Sequence, residues 1–208
     1  MTWLLFTIRA AALALALAAS PALAAAERTV LVFGDSLAAA YGMAPAQGWV
    51  SLLAERLTTP WRVVNASISG ETTAGGVRRL AEDLKRHKPA VVVIELGAND
   101  ALRGQPIAAI RANLEKMIGL TREARAEPVL VGLMIPPNYG IEYAAEFRDL
   151  FPALAAKHKL AFVPFLLQGV AERRELFLPD QVHPNVEAQR MILDNVWPAL
   201  SAAMKKVR

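Results

Sequence analysis

The 208-residue chain contains no cysteine, so no disulfide holds the fold and no acylated cysteine can close a lipoprotein leader. It has three histidines, which leaves few candidates for acid–base work near neutral pH. Beyond the N-terminal segment no apolar stretch reaches 18 residues, so a later membrane span is not expected. A formal net charge of +4 is a small excess. Its members are spread through pieces such as Arg78-Arg79, Lys85 to Lys88 and Arg173-Arg174, a pattern of solvated helix faces rather than of a nucleic-acid surface. Internal repeats, low-complexity tracts and linkers are absent as well.

What is present begins with a leader. Arg9, the apolar run Ala10 to Ala19, Pro21 and the A-x-A site Ala22-Leu23-Ala24 have the layout of a secretory signal peptide, and the run is too short to span a bilayer comfortably. Cleavage is expected after Ala24, or as late as residue 26, giving a periplasmic or secreted protein with no stable membrane insertion. The cut leaves residues 25–208 as a single domain. Arg9 is the one charged residue removed, so the formal charge falls from +4 to +3. The chain is taken as a monomer.

Past the leader, β-branched runs alternate with helical periodicity. Strands are expected over residues 29–33, 61–66, 90–96, 128–134 and 161–165, and helices over 47–57, 74–86, 107–126, 143–158 and 185–204, with Pro198 kinking or fraying the last. Five strands separated by helices imply an α/β fold with a parallel sheet covered on both faces. Asn65-Ala66-Ser67 matches a glycosylation sequon, discounted because it is expected to close a buried strand.

In a sheet of this kind ligands bind beyond the carboxyl ends of the strands. The loops there read Gly34-Asp35-Ser36-Leu37, Ser67-Ile68-Ser69-Gly70-Glu71 and Gly97-Ala98-Asn99-Asp100. Of the histidines, His87 and His158 sit among lysines and arginines, a setting that would hold an imidazole in solvent. His183 lies in the polar segment Asp180-Gln181-Val182-His183-Pro184-Asn185, where a tight turn can set Asp180 against one ring nitrogen and leave the other facing a nucleophile. A turn cap at Asp180 would explain the same residues. Ser36, at the end of the first strand, is the candidate nucleophile, and a helix N-cap at Asp35 or Ser36 is its alternative. Asp35 reads as a loop-ordering residue. Acyl transfer also needs donors for an oxyanion; Gly70 can offer a backbone N–H and Asn99 a carboxamide, although each is also an ordinary turn residue.

Together these blocks resemble the GDSL, or SGNH, hydrolases, and within them the periplasmic branch of thioesterase I, lysophospholipase and arylesterases. Asn65 to Thr72, Pro137-Asn138-Tyr139-Gly140 and Asn99 to Gly104 strengthen the likeness, which covers residues 29–200. The resemblance implies a three-layer α/β/α sandwich, flavodoxin-like, with a five-stranded parallel sheet of order 2-1-3-4-5, and needs neither metal nor cofactor. It implies a Ser36–His183–Asp180 triad, with the Ser36 N–H joining Gly70 and Asn99 as oxyanion donors. Ala98 stands where relatives carry a second glycine, so a positive φ there would strain the loop, while a trimmed acyl pocket is the other reading.

The expected activity is cleavage of carboxylic esters or thioesters through an acyl-enzyme, of arylesterase, acyl-CoA thioesterase or lysophospholipase type, with glycan deacetylation as an alternative. The partner is a small-molecule acyl ester or thioester, and no nucleic acid. Leu37, Tyr41, Leu102, Ile135 and Pro136 are candidates to line an acyl groove, and Gly75-Gly76 either to hinge the loop from Thr72 or to enter a helix. Two rival classes remain: a metal-dependent phosphoesterase using Asp35, Asp100, Asp180 and His183, and a non-catalytic acyl- or glycan-binding protein.

Overall fold

The computed structural model describes residues 27–207; the expected leader and its cleavage site lie outside the described residues. Strands β1 (Arg28–Gly34), β2 (Trp61–Asn65), β3 (Val91–Glu95), β4 (Glu127–Val131) and β5 (Ala161–Val163) form one sheet. All neighbours are parallel, in the order β2-β1-β3-β4-β5. Helices α1 (Trp49–Arg56) and α6 (Gln189–Lys206) cover one face, and α2 (Thr73–His87), α4 (Ile107–Glu123) and α5 (Ile141–His158) the other. This is the expected three-layer sandwich.

The central strands consist of apolar residues because both of their faces are covered. Val30 to Phe33 and Val91 to Ile94 have no exposed surface at all, and burying each such side chain contributes about 1.5–3 kcal/mol. Edge strand β2 is different. It is half-buried and Asn65 is exposed, its Nδ2 donating to the Ala38 carbonyl at 2.8 Å. The buried-strand reason for discounting the sequon therefore fails, since an edge strand has only one strand neighbour.

Other differences sit at element ends. A short helix, α3 (Ala98–Leu102), forms where sequence periodicity showed only a loop, because five residues are too few to display it. The Gly75-Gly76 pair lies in the first turn of α2, the helix-entrance alternative. The Thr72 side chain caps the helix by accepting the Gly75 N–H at 3.2 Å, and a Cβ on Gly76 would lie 2.7 Å from Leu96 and 2.9 Å from Met117. Gly76 thus sets how closely α2 approaches the sheet. Helix α6 continues through Pro198 to Lys206 without fraying, and among the described residues no helix is long and apolar enough to cross a membrane.

Candidate active site

The first turn of the site is built by glycine and two acids. A Cβ on Gly34 would fall 2.4 Å from Glu95 Oε2, so only glycine lets β1 end beside that carboxyl. The Asp35 N–H donates to Glu95 Oε2 at 3.2 Å, and Asp35 Oδ1 accepts the Leu37 N–H at 3.0 Å, which folds the backbone around Ser36. The capping alternative does not apply, because the next helical turn is a 3-10 turn at Pro45–Gln47 whose N-cap is Ala44, and the next α-helix, α1, starts at Trp49. Asp35 orders this loop as expected.

His183 reaches Ser36 from the opposite end of the chain. Its Nε2 lies 3.0 Å from Ser36 Oγ and its Nδ1 2.8 Å from Asp180 Oδ2. The turn between them is held by Asp180 Oδ1, which accepts the N–H groups of Val182 at 2.9 Å and His183 at 3.0 Å, with Gln181 at a φ of 57°. Asp180 therefore caps the turn and orients the imidazole at once. These hydrogen bonds, the His183 N–H foremost, hold the Asp180 carboxyl down at about 2, so it is an anion across the neutral range. Backbone bonds from Leu178 N–H to His183 O and from Asn185 N–H to Leu176 O make the segment a small hairpin. Buried Gln189 ties that hairpin to the other half of the site, accepting the Trp49 N–H at 3.1 Å and donating to Asn185 O at 3.0 Å. Gln189 was missing from the sequence reading, since a glutamine at a helix start carries no signal of its own.

The strand order places the remaining loops on either side of Ser36. Because β1 lies between β2 and β3, Gly70 and Asn99 flank the serine from the loops that follow those two strands. Gly70 has a φ of 79°, suited to glycine. Among the described residues the N–H groups of Ser36 and Gly70 donate to no protein acceptor. Asn99 Nδ2 donates to Asp35 Oδ2 at 2.9 Å, which fixes the carboxamide and leaves its second hydrogen available. Ala98 opens α3 with no positive φ; Gly97 before it takes that conformation, at 127°. The feared backbone strain at Ala98 is absent.

Three acids are buried here. Glu95, without exposed surface, is pushed far above the usual carboxyl range by desolvation and then by the neighbouring Asp35; its Oε1 has no partner among the described residues. Asp35 is itself raised to about 6, chiefly by burial. Asp100 accepts the Thr73 N–H at 2.8 Å and its hydroxyl at 2.6 Å, joining α3 to the start of α2. Glu95 went unnoticed in sequence although a signal existed: a carboxyl ends a strand expected to be buried on both faces.

The five lining candidates divide. Leu37 and Leu102 are half-buried against the core and Ile135 is 7% exposed, whereas Pro136 and Tyr41 offer surface. Tyr41 also makes a contact not foreseen, its ring lying over His183 with centroids 4.1 Å apart. The four residues of the metal reading do not gather: both Asp100 oxygens serve Thr73, and among the described residues no His/Cys/Asp/Glu group is placed to hold an ion. His158 is less solvated than expected, its side chain 23% exposed and 3.7 Å from Glu115.

Comparison with known proteins agrees with this geometry. Residues 32–191 match the model of the GDSL-like lipase/acylhydrolase family. The chain is 48% identical over 179 residues to esterase TesA of Pseudomonas aeruginosa, covering 85% of this chain and 89% of that one. It is 39% identical over 176 residues to thioesterase 1/protease 1/lysophospholipase L1 of Escherichia coli, covering 85% and 84%. The crystal structure of psychrotrophic esterase EstA from Pseudoalteromonas sp., inhibited by monoethylphosphonate, superposes with a TM-score of 0.80 at 36% identity, covering 86% of this chain and 100% of that one.

Proposed function

This chain belongs to the GDSL-like lipase/acylhydrolase family, and from that premise we propose that it hydrolyses carboxylic esters or thioesters through an acyl-enzyme on Ser36. The observation that carries the reading is the continuous chain from Ser36 Oγ to His183 Nε2 at 3.0 Å and from His183 Nδ1 to Asp180 Oδ2 at 2.8 Å. A serine hydroxyl is a weak nucleophile until a base accepts its proton, and that is the service this arrangement offers.

His183 Nε2 takes the Ser36 proton as Oγ bonds to the acyl carbon, and the carbonyl electrons move onto oxygen. The Ser36 and Gly70 N–H groups and the Asn99 carboxamide supply hydrogen bonds to that oxyanion. Asp180 keeps the imidazole in the tautomer that accepts at Nε2 and stabilises the cation that forms. On collapse the proton on His183 passes to the leaving alcohol or thiol. Water then attacks the acyl-enzyme, giving its proton to His183; the acid departs and Ser36 recovers its hydrogen.

Relatives named as an esterase and as a thioesterase and lysophospholipase support acyl esters and thioesters as the substrate class. Pro136, which is exposed, and Leu37 and Leu102, which are half-buried, supply the apolar surface for the acyl group. Residues 1–24 act as an export leader, and the mature chain is a single periplasmic or secreted domain; a first strand that begins at Arg28, past the cut, is consistent with this.

The test is turnover of p-nitrophenyl acetate, butyrate and decanoate by the mature protein beside Ser36→Ala, with a fluorophosphonate label located by mass spectrometry. The expected result is loss of about 10⁴-fold or more in kcat for Ser36→Ala and an adduct on Ser36. Turnover retained in the variant, or no adduct at Ser36, would overturn the reading.

A further inference from the structure

The loop after β1 does more than present Ser36. Ala40 and Gly42, on either side of Tyr41, both take a positive φ, 57° and 74°. For alanine that conformation is uncommon and unfavourable, so the surrounding contacts hold it there. Those contacts are specific. Trp49 Nε1 donates to Leu37 O at 3.0 Å, Asn65 Nδ2 to Ala38 O at 2.8 Å, and Gly48 packs so closely that a Cβ there would lie 2.7 Å from that of Ala40. Gly42 leaves room for Leu178, whose Cδ1 would be 2.5 Å from an added Cβ, and Leu178 N–H binds His183 O at 2.8 Å. Through Leu178, packed against Gly42 and bonded to His183, the Tyr41 segment rests on the His183 hairpin.

The bends turn the Tyr41 ring onto the imidazole, centroids 4.1 Å apart and planes 32° from parallel. The side chain remains 47% exposed, so burial of its own surface does not explain the position. Its hydroxyl makes no hydrogen bond among the described residues; the ring makes the contact. With Ser36 on Nε2 and Asp180 on Nδ1, both ring nitrogens of the imidazole are occupied, and Tyr41 lies against one face of the ring.

We propose that Tyr41 is a positioning residue for His183, its ring fixing the imidazole between Ser36 and Asp180 and stabilising the imidazolium that forms in acylation and again in deacylation. This rests on the reading of His183 as the general base. The face of an aromatic ring is negative and attracts a cation within about 6 Å of its centroid, more strongly when water is excluded. Because the charge on His183 is present during the chemical steps and absent in the resting triad, the attraction acts mainly on the transition states and so on kcat.

The experiment compares the mature protein with Tyr41→Phe and Tyr41→Leu on p-nitrophenyl acetate and decanoate, with active sites counted by fluorophosphonate adduct on Ser36. Phenylalanine keeps the ring and leucine keeps only apolar bulk. Tyr41→Phe is expected within about twofold of the unsubstituted kcat, and Tyr41→Leu about 3- to 30-fold lower on both esters with KM little changed. An undiminished kcat in Tyr41→Leu would overturn the proposal. So would a loss confined to KM for decanoate, which would make Tyr41 a groove wall, or an equal loss in both variants, which would assign the effect to the hydroxyl. No adduct at Ser36 in the unsubstituted protein would remove the underlying reading and this inference with it, whereas an adduct with equal kcat in all three removes this inference alone.

Discussion

At the amino edge of the sheet the connections are short, and at the carboxyl edge they are long and irregular. Only residues 57–60, 88–90, 124–126 and 159–160 join helix to strand at the amino edge. There basic side chains crowd the helix ends, with Lys85 and Arg86 closing α2, Lys157 and His158 closing α5, and Lys205 and Lys206 closing α6. Cations at helix C-termini meet the negative end of the helix dipole, so this edge is arranged for stability. A groove lined by Arg28, Arg56, Trp61 and Trp197 opens on that side, away from Ser36. At the carboxyl edge lie three buried acids, Asp35, Glu95 and Asp100, and the segments holding Ser36, Gly70, Asn99 and His183. The exposed large apolar residues Tyr41, Ile68, Met134, Tyr139, Ile141, Val182 and Val186 also all belong to segments following strands. Within one fold, one edge spends its residues on holding the helices and the other accepts buried charge and bare apolar surface.

If that division is right, substitutions at the two edges separate activity from stability. The largest effect short of removing Ser36 is expected from Asn99→Ala, which takes away the proposed oxyanion donor. It should lower kcat by about 10² to 10³ with little change in KM or in the unfolding midpoint. Normal kcat in steady-state kinetics would remove Asn99 from the oxyanion site.

Asp35→Asn comes next. An amide offers one acceptor oxygen where the carboxylate offers two, so Leu37 N–H or Asn99 Nδ2 loses its partner, and kcat should fall about tenfold. The pH dependence has a definite sign. Asp35 is raised from 3.8 to about 6 in the fold, so its protonated form favours folding below about pH 4, and that contribution is lost as pH rises through 6. The variant lacks this slope, and its Tm relative to the unsubstituted protein should climb between pH 4 and pH 7. A difference independent of pH, measured by thermal unfolding, would contradict the raised carboxyl.

The smallest effect belongs to the amino edge. Lys159 ends α5 with a φ of 50°, a conformation that glycine takes without strain. Lys159→Gly should stabilise the fold by up to about 1 kcal/mol in urea unfolding and leave turnover unchanged. A change in turnover would break the separation of the two edges.

Much of this arrangement is legible in sequence. Val30 to Phe33 and Val91 to Ile94 declare buried strands because parallel strands covered on both faces need apolar residues at every position. Ser36, Gly70 and Asn99 are legible because each local block places its residue past a strand end, where a parallel sheet keeps its ligand site, and the Asp180–His183 pair because a polar segment sets a carboxyl three residues before a histidine. The triad distances, the seating of Glu95 beneath Asp35, the hold of Gln189 on Trp49 and the Tyr41 ring on His183 belong to the tertiary structure alone. These contacts join residues as much as 147 positions apart. Periodicity and turn chemistry act over a few residues and determine what each segment becomes. Which side chains meet across the sheet edge depends on strand order and on how closely the layers pack, and those are settled only when the whole chain has folded.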